Sequence, residues 1–142
     1  MTANQPNMKL CDATVQEIEL ELIRRRRFNE FDGPKIVESF ERNPKLWIAA
    51  YMDRFGLYRD EHPDWLPASS LIKLRDLRHN RWNVDTLCVL TPDIDHAREL
   101  AALADMDDWQ ADEVIVQDNA EEVSMALGMF PLKYGLVTFW WD

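Results

Sequence analysis

Glycine is scarce in this chain, which has only four, at positions 33, 56, 128 and 135. A Walker loop and a dinucleotide fingerprint both need closely spaced glycines so that backbone can approach a phosphate, so both are excluded. Cysteine is scarcer still. Cys11 and Cys88 lie far apart and form no Cys-x-x-Cys unit, which argues against a zinc ribbon, a thioredoxin-like couple or a disulfide scaffold. Cys88, within Leu87-Cys88-Val89-Leu90, is expected to act as a small buried hydrophobe. Long apolar runs are missing too: Leu46 to Met52 and Leu87 to Leu90 are among the longest, and neither can span a bilayer. Met1 to Leu10 lacks the basic and then apolar layout of a signal peptide, so a cytoplasmic protein is expected. His62, His79 and His96 share no metal-ligand spacing, and Ser39, Ser69, Ser70 and Ser124 occur in no Gly-x-Ser-x-Gly elbow. No catalytic residue and no cofactor is assigned.

The most informative scarcity is that of basic residues near the C-terminus. Residues 1–82 hold 14 Lys/Arg against 13 Asp/Glu, whereas residues 83–142 hold 2 against 13. A division of this kind bears on association and partner choice rather than on fold. Hydrophobic residues make up 46% of the 142 residues and charged residues 30%, ordinary globular values that fit a single domain.

The elements follow from periodicity and punctuation. Ala13 to Phe31 is rich in strong helix formers, with Val15, Ile18 and Leu22 at helical spacing. Asp32-Gly33-Pro34 breaks that helix and opens a second one carrying Ile36, Val37 and Phe40. Asn43-Pro44 opens a third, with Trp47, Ala50, Tyr51 and Phe55 on its buried side and Gly56 as its stop. Residues 57–83 form a loop-rich connection, where Pro63 and Pro67 flank Trp65, and Ser70 caps a short helix through Leu71, Leu74 and Leu77 or else precedes an edge strand. The last part gives a strand at Val84 to Leu90, a helix at Ile94 to Ala104, a strand at Glu113 to Gln117, a helix at Asn119 to Met129 and a strand at Gly135 to Trp141. This order predicts an α/β protein in which the N-terminal helices pack on a small, mostly parallel βαβαβ sheet. The alternative is α+β with a mixed sheet.

In a parallel sheet the residues after each strand face the ligand crevice. Here they are acidic: Asp93 and Asp95, Asp118, and Asp142. Together they could hold Mg²⁺ for an enzyme, the second functional reading. Helix capping explains most of them more simply, since Asp93 and Asp95 open one helix and Asp118 with Glu121 has capping-box spacing.

Capping does not account for Asp105, Asp107, Asp108, Asp112 and Glu113, which fall at a helix C-terminal end where negative charge is mildly unfavourable. A calcium loop is excluded, because the stretch lacks a glycine at its sixth position and a glutamate at its twelfth. Trp109 stands among these acids. An exposed indole beside carboxylates attracts an ammonium or guanidinium group; the alternative is that Trp109 turns inward as a hydrophobic anchor. The first reading makes Asp105, Asp107, Asp108, Trp109, Asp112 and Glu113 a binding site on a non-catalytic protein, for a basic partner protein or a cationic small molecule.

Arg24-Arg25-Arg26-Arg27 invites a nucleic-acid reading. Four consecutive helical residues point nearly all round the axis, however, and the net charge is −10, so nucleic acid is disfavoured. Glu21 is placed to pair with Arg25 and Glu30 with Arg26, while the basic elements, Lys73, Arg75, Arg78 and Arg81 included, are candidates to meet the acidic part. Finally, adjacent Trp140 and Trp141 must point to opposite faces of the last strand. At a sheet edge, one of them would be left for a second subunit, and a homodimer is expected on that ground.

Overall fold

A computed structural model describes residues 8–53, 74–82 and 85–142. A 3-10 turn at Leu10–Asp12 leads into α1 (Val15–Arg24), a short hairpin of β1 (Arg27–Phe28) and β2 (Phe31–Asp32), and α2 (Gly33–Arg42). Then come β3 (Ala49–Asp53), β4 (Thr86–Thr91), α3 (Ile94–Met106), β5 (Glu113–Gln117), α4 (Ala120–Leu127) and β6 (Gly135–Trp140). Residues 74–77 are helical. The expected stop at Gly56, the Trp65 loop, the Ser70 cap, Leu71 and the start of the strand at Val84 lie outside the described residues.

Capping residues set the helix starts. Thr14 and Glu17 form a reciprocal capping box on α1, and Asp32, Asp93 and Asn119 each accept a backbone N–H three residues on. α1 ends earlier than its propensity suggests, because Asn29 takes a left-handed φ of 47° and turns the arginine run into the hairpin. Phe28 and Phe31 stack across it at 5.0 Å. Gly33 closes this junction. A Cβ there would come within 1.9 Å of the Ile23 carbonyl oxygen, and the Gly33 N–H donates to the Arg26 carbonyl at 2.9 Å.

The main sheet has the order β3-β4-β6-β5 and is antiparallel at every pairing. The mostly parallel βαβαβ arrangement is therefore wrong, and so is the mixed sheet; the fold is α+β. β4 and β5 do run the same way, but β6 lies between them and runs against both. The length of α4 shows why. At eight residues it spans about 12 Å, and it buries only Val123 and Ser124, too little to cross back along a sheet face. Instead it turns the chain at one end: Gly128 takes φ 67°, the Ser124 hydroxyl accepts the Tyr134 N–H at 3.1 Å, and β6 returns beside the end of β5.

β3 corrects a second expectation, because the helix foreseen after Asn43 is absent. Asn43 ends α2, its side chain donating to the Ser39 carbonyl at 2.9 Å. Ala50 and Met52 are buried while Tyr51 is exposed, the period-two pattern of a half-covered strand hidden in a short apolar run.

The core lies on the face of the sheet formed by Ala50, Met52, Leu87, Val89, Val137 and Phe139. α1 brings Leu20 and Ile23 to it, α2 brings Ile36, Val37 and Phe40, and α3 brings Ala97, Leu100 and Ala104 at three- and four-residue spacing. The opposite face is less covered. Its middle row runs Tyr51, Cys88, Thr138 and Ile115 across the four strands, with Tyr51 and Ile115 exposed. Cys88 there is half-buried, and burial pushes its thiol up from the ordinary range, so it is a poor nucleophile. Among the described residues no helix is long and apolar enough to cross a membrane.

Candidate ligand-binding groove

The acidic stretch joins α3 to β5, and two left-handed residues, Asp108 (φ 58°) and Gln110 (φ 55°), shape it. Between them Trp109 points inward with 1% of its surface exposed. Its ring meets Phe40 at 5.5 Å and Phe139 at 5.0 Å. Its Nε1–H donates to the Ser39 hydroxyl at 3.0 Å, and that hydroxyl donates to the Asp107 carboxylate at 2.6 Å. The Trp109 carbonyl in turn accepts from Trp141 Nε1 at 2.9 Å. Of the two readings of Trp109 in the sequence, exposed indole or inward anchor, the second is found, because α2 supplies both a polar partner for the indole nitrogen and an aromatic wall. No cation can stack on a ring so placed.

The six candidate residues are not brought together as one surface. Asp107 is held by Ser39, with Arg42 at 3.8 Å. Asp112 accepts the Asp142 N–H at 2.7 Å and ties down the C-terminus. Glu113, paired with Trp140, starts β5 on the less covered face. Asp105 and Asp108 remain. Both are exposed, and among the described residues neither carboxylate has an ion-pair or hydrogen-bond partner; Lys35 reaches only the Asp108 carbonyl, at 3.3 Å.

These two acids border a cavity of about 220 Å³ whose other walls are Ala101, Ala104, Trp109, Gln110, Ala111 and Val114. It lies between the flank of α3 and β5. The volume is below the ~300–1,000 Å³ of sites that enclose a whole small molecule, and it suits one side chain or a small amine. Small alanines on α3 make the space, Val114 supplies an apolar wall, and the acids supply negative potential at the rim. The sequence pointed to the acids but not to Ala101, Ala104, Ala111 or Val114; the available signal was that Ala101, Ala104 and Asp105 share one helical face.

A second cavity, of about 180 Å³, lies at the other end of β5 on the other side of the sheet. It is lined by Gln117, Asn119, Glu122, Val123, Ala126, Leu127 and Leu136.

The strand-end carboxylates do not converge. Thr91 pairs with Gly135 and Gln117 with Leu136, so Asp93 and Asp118 share one end of the sheet while Asp142 lies at the other. Asp93 caps α3, where the His96 backbone N–H and then the His96 ring, 2.6 Å away, hold its carboxyl below the usual range. Among the described residues no group of three or more His, Cys, Asp or Glu is placed to hold a metal ion.

The arginine run is occupied within its own half. Arg24 pairs with Glu21 at 3.1 Å and Glu41 at 3.0 Å, Arg25 with Glu21 at 3.8 Å, and Arg27 with Asp32 at 3.9 Å. Arg26 lies over the Phe28 ring at 5.6 Å. Among the described residues, bases from α2 reach the acidic part through Lys35 and Arg42; Lys73 lies outside the described residues. β6 is an inner strand of the sheet, so the edge-strand ground for a homodimer through Trp140 or Trp141 is removed. Compared with protein-family models, curated proteins and solved structures, the chain has no match in any of the three.

Proposed function

We propose that this is a non-catalytic binding protein that takes a cationic group, the side chain of a basic partner or a small amine, into the groove between α3 and β5. The observation that carries the reading is the pairing of two unneutralised carboxylates, Asp105 and Asp108, with an apolar-walled cavity of one side chain's volume. An aliphatic stem would pack on Val114 and the alanines while its charged end met the acids, the division of labour that long basic side chains permit. The surrounding field favours the same sign. From Glu99 to Leu132 the chain contains no Lys, Arg or His, so a cation approaching β5 meets no repulsion from that segment.

The test is a titration with butylamine and with blocked lysine, following amide chemical shifts. Shifts are expected at residues 105–114, weakening as salt rises from about 0.05 M to about 0.5 M, because exposed charges are then screened within a few ångströms. Binding that is indifferent to salt, or unchanged in the double variant Asp105→Asn/Asp108→Asn, would overturn the reading.

A further inference from the structure

We infer that the partner is an extended chain segment that adds to β5 as a fifth strand, carrying Lys or Arg on its α3 side and an aliphatic residue three positions away on the other. The inference rests on the groove reading and adds the form of the ligand.

Three observations support it. β5 ends the sheet order, and among the described residues no strand lies beyond it; Val114 and Ile115 stand 43% and 41% exposed. An edge strand offers main-chain groups to any extended chain laid alongside, and this is a general way of capturing peptides. The two cavities then stand in a definite relation to that edge. One is lined by Val114, on the core side of the sheet, and the other by Gln117, on the opposite side. Three residues along a strand cover about 10 Å and end on the opposite face, so a paired segment would present residues i and i+3 to the two cavities. Charge then assigns the residues. Asp105 and Asp108 border the first cavity, whereas Val123, Ala126, Leu127 and Leu136 dominate the second.

A second copy of this chain fits the edge poorly. Antiparallel self-pairing about Ile115 would set Asp112 against Asp118 twice, and no base between Glu99 and Leu132 could relieve it. A basic segment from another protein meets complementary charge instead.

The experiment uses short blocked threonine peptides carrying lysine and leucine three apart, in both orders, beside controls with the same residues four apart, which share a face. Binding is followed by calorimetry, and amide exchange across residues 113–117 is read in the bound state. The three-apart peptide of one order is expected to bind about tenfold more tightly than its four-apart control, the loss typical of an apolar contact withdrawn from its pocket, and to slow exchange in β5. If blocked lysine binds but the spacings are equivalent and exchange is unchanged, strand addition is wrong while the groove reading stands. If neither lysine nor peptide binds, the groove reading itself fails. If the protein alone dimerises by light scattering and the peptide dissociates it, the edge belongs to a second copy and the inference is overturned.

Discussion

The two edges of the sheet are finished in opposite ways. Along β3 the Gln16 side chain of α1 reaches the strand and bonds it twice: its Oε1 accepts the Ala50 N–H at 2.8 Å and its Nε2 donates to the Ala50 carbonyl at 2.7 Å. A primary amide has the donor and acceptor of a peptide group, so one side chain stands in for a neighbouring strand. Along β5 no side chain does this among the described residues, and the burial pattern of the strand is exposed at four of its five positions. Exposed strand edges invite association and are usually blocked. Among the described residues, one edge is closed by a dedicated side chain and the other is left beside two cavities; on the proposed reading this separates a structural boundary from a working one.

The largest effect is expected from breaking the closed edge. Gln16→Ala leaves both main-chain groups of Ala50, a residue only 3% exposed, without partners. Each buried polar group so orphaned costs about 1–3 kcal/mol, partly offset where water enters, so a loss of roughly 2–3 kcal/mol in urea unfolding is expected. Gln16→Glu should recover less than half of it, because a carboxylate accepts from the Ala50 N–H but cannot donate to the carbonyl. A loss below about 0.5 kcal/mol for Gln16→Ala, the range of ordinary surface substitutions, would show that the amide only decorates this edge and would dissolve the contrast.

Gln16 was invisible in the sequence, where it is one polar residue on a helix whose apolar periodicity dominates. What was legible was local. The strand at Glu113–Gln117, the helix starts at Asp93 and after Asp32, and the strand at Gly135 all appear where alternation and capping residues put them. Direction was not legible, because it depends on whether α4 covers a face or merely turns the chain, and that is set by which of its residues find a surface. Trp109 illustrates the same limit within the site. A lone indole among carboxylates carries no periodicity, and its burial is decided by Ser39 and Phe40, about seventy residues earlier in the chain. The acids show the same limit: nothing in their sequence spacing separates them, and whether each stays free depends on what α2 and the C-terminal residue bring to it. Asp107 and Asp112 met donors, while Asp105 and Asp108 met a cavity.

A middle-sized effect should sharpen the contrast at the two ends of α3. Asp93 caps the N-terminal end and accepts the His96 N–H at 2.8 Å. Replacing it with alanine is expected to cost about 1 kcal/mol at neutral pH. The pH dependence follows from the direction of its shift. Because folding holds this carboxyl below its ordinary value, its contribution is complete above the unfolded carboxylate range, near pH 4, and is lost as pH falls through the lowered folded value. The gap between the parent protein and Asp93→Ala should therefore narrow from pH 6 to pH 2. A gap that widens on acidification would mean that the interaction depends on a neutral carboxyl and would reverse the assignment.

The smallest effect has the opposite sign and bears most directly on function. Asp105 lies in the last turn of α3, where the exposed carbonyls repel a negative charge, and it has no partner among the described residues to compensate. Neutralising it as Asp105→Asn should leave the fold unchanged or raise stability by about 0.3 kcal/mol, within the range of exposed helix-dipole effects, while weakening amine and peptide binding. Asp93 and Asp105 occupy opposite ends of one helix, and only the first is placed where its charge helps folding. If Asp105→Asn lowered stability by as much as Asp93→Ala, its carboxylate would be serving the fold, and the case for an open edge kept for a cationic ligand would lose its strongest residue.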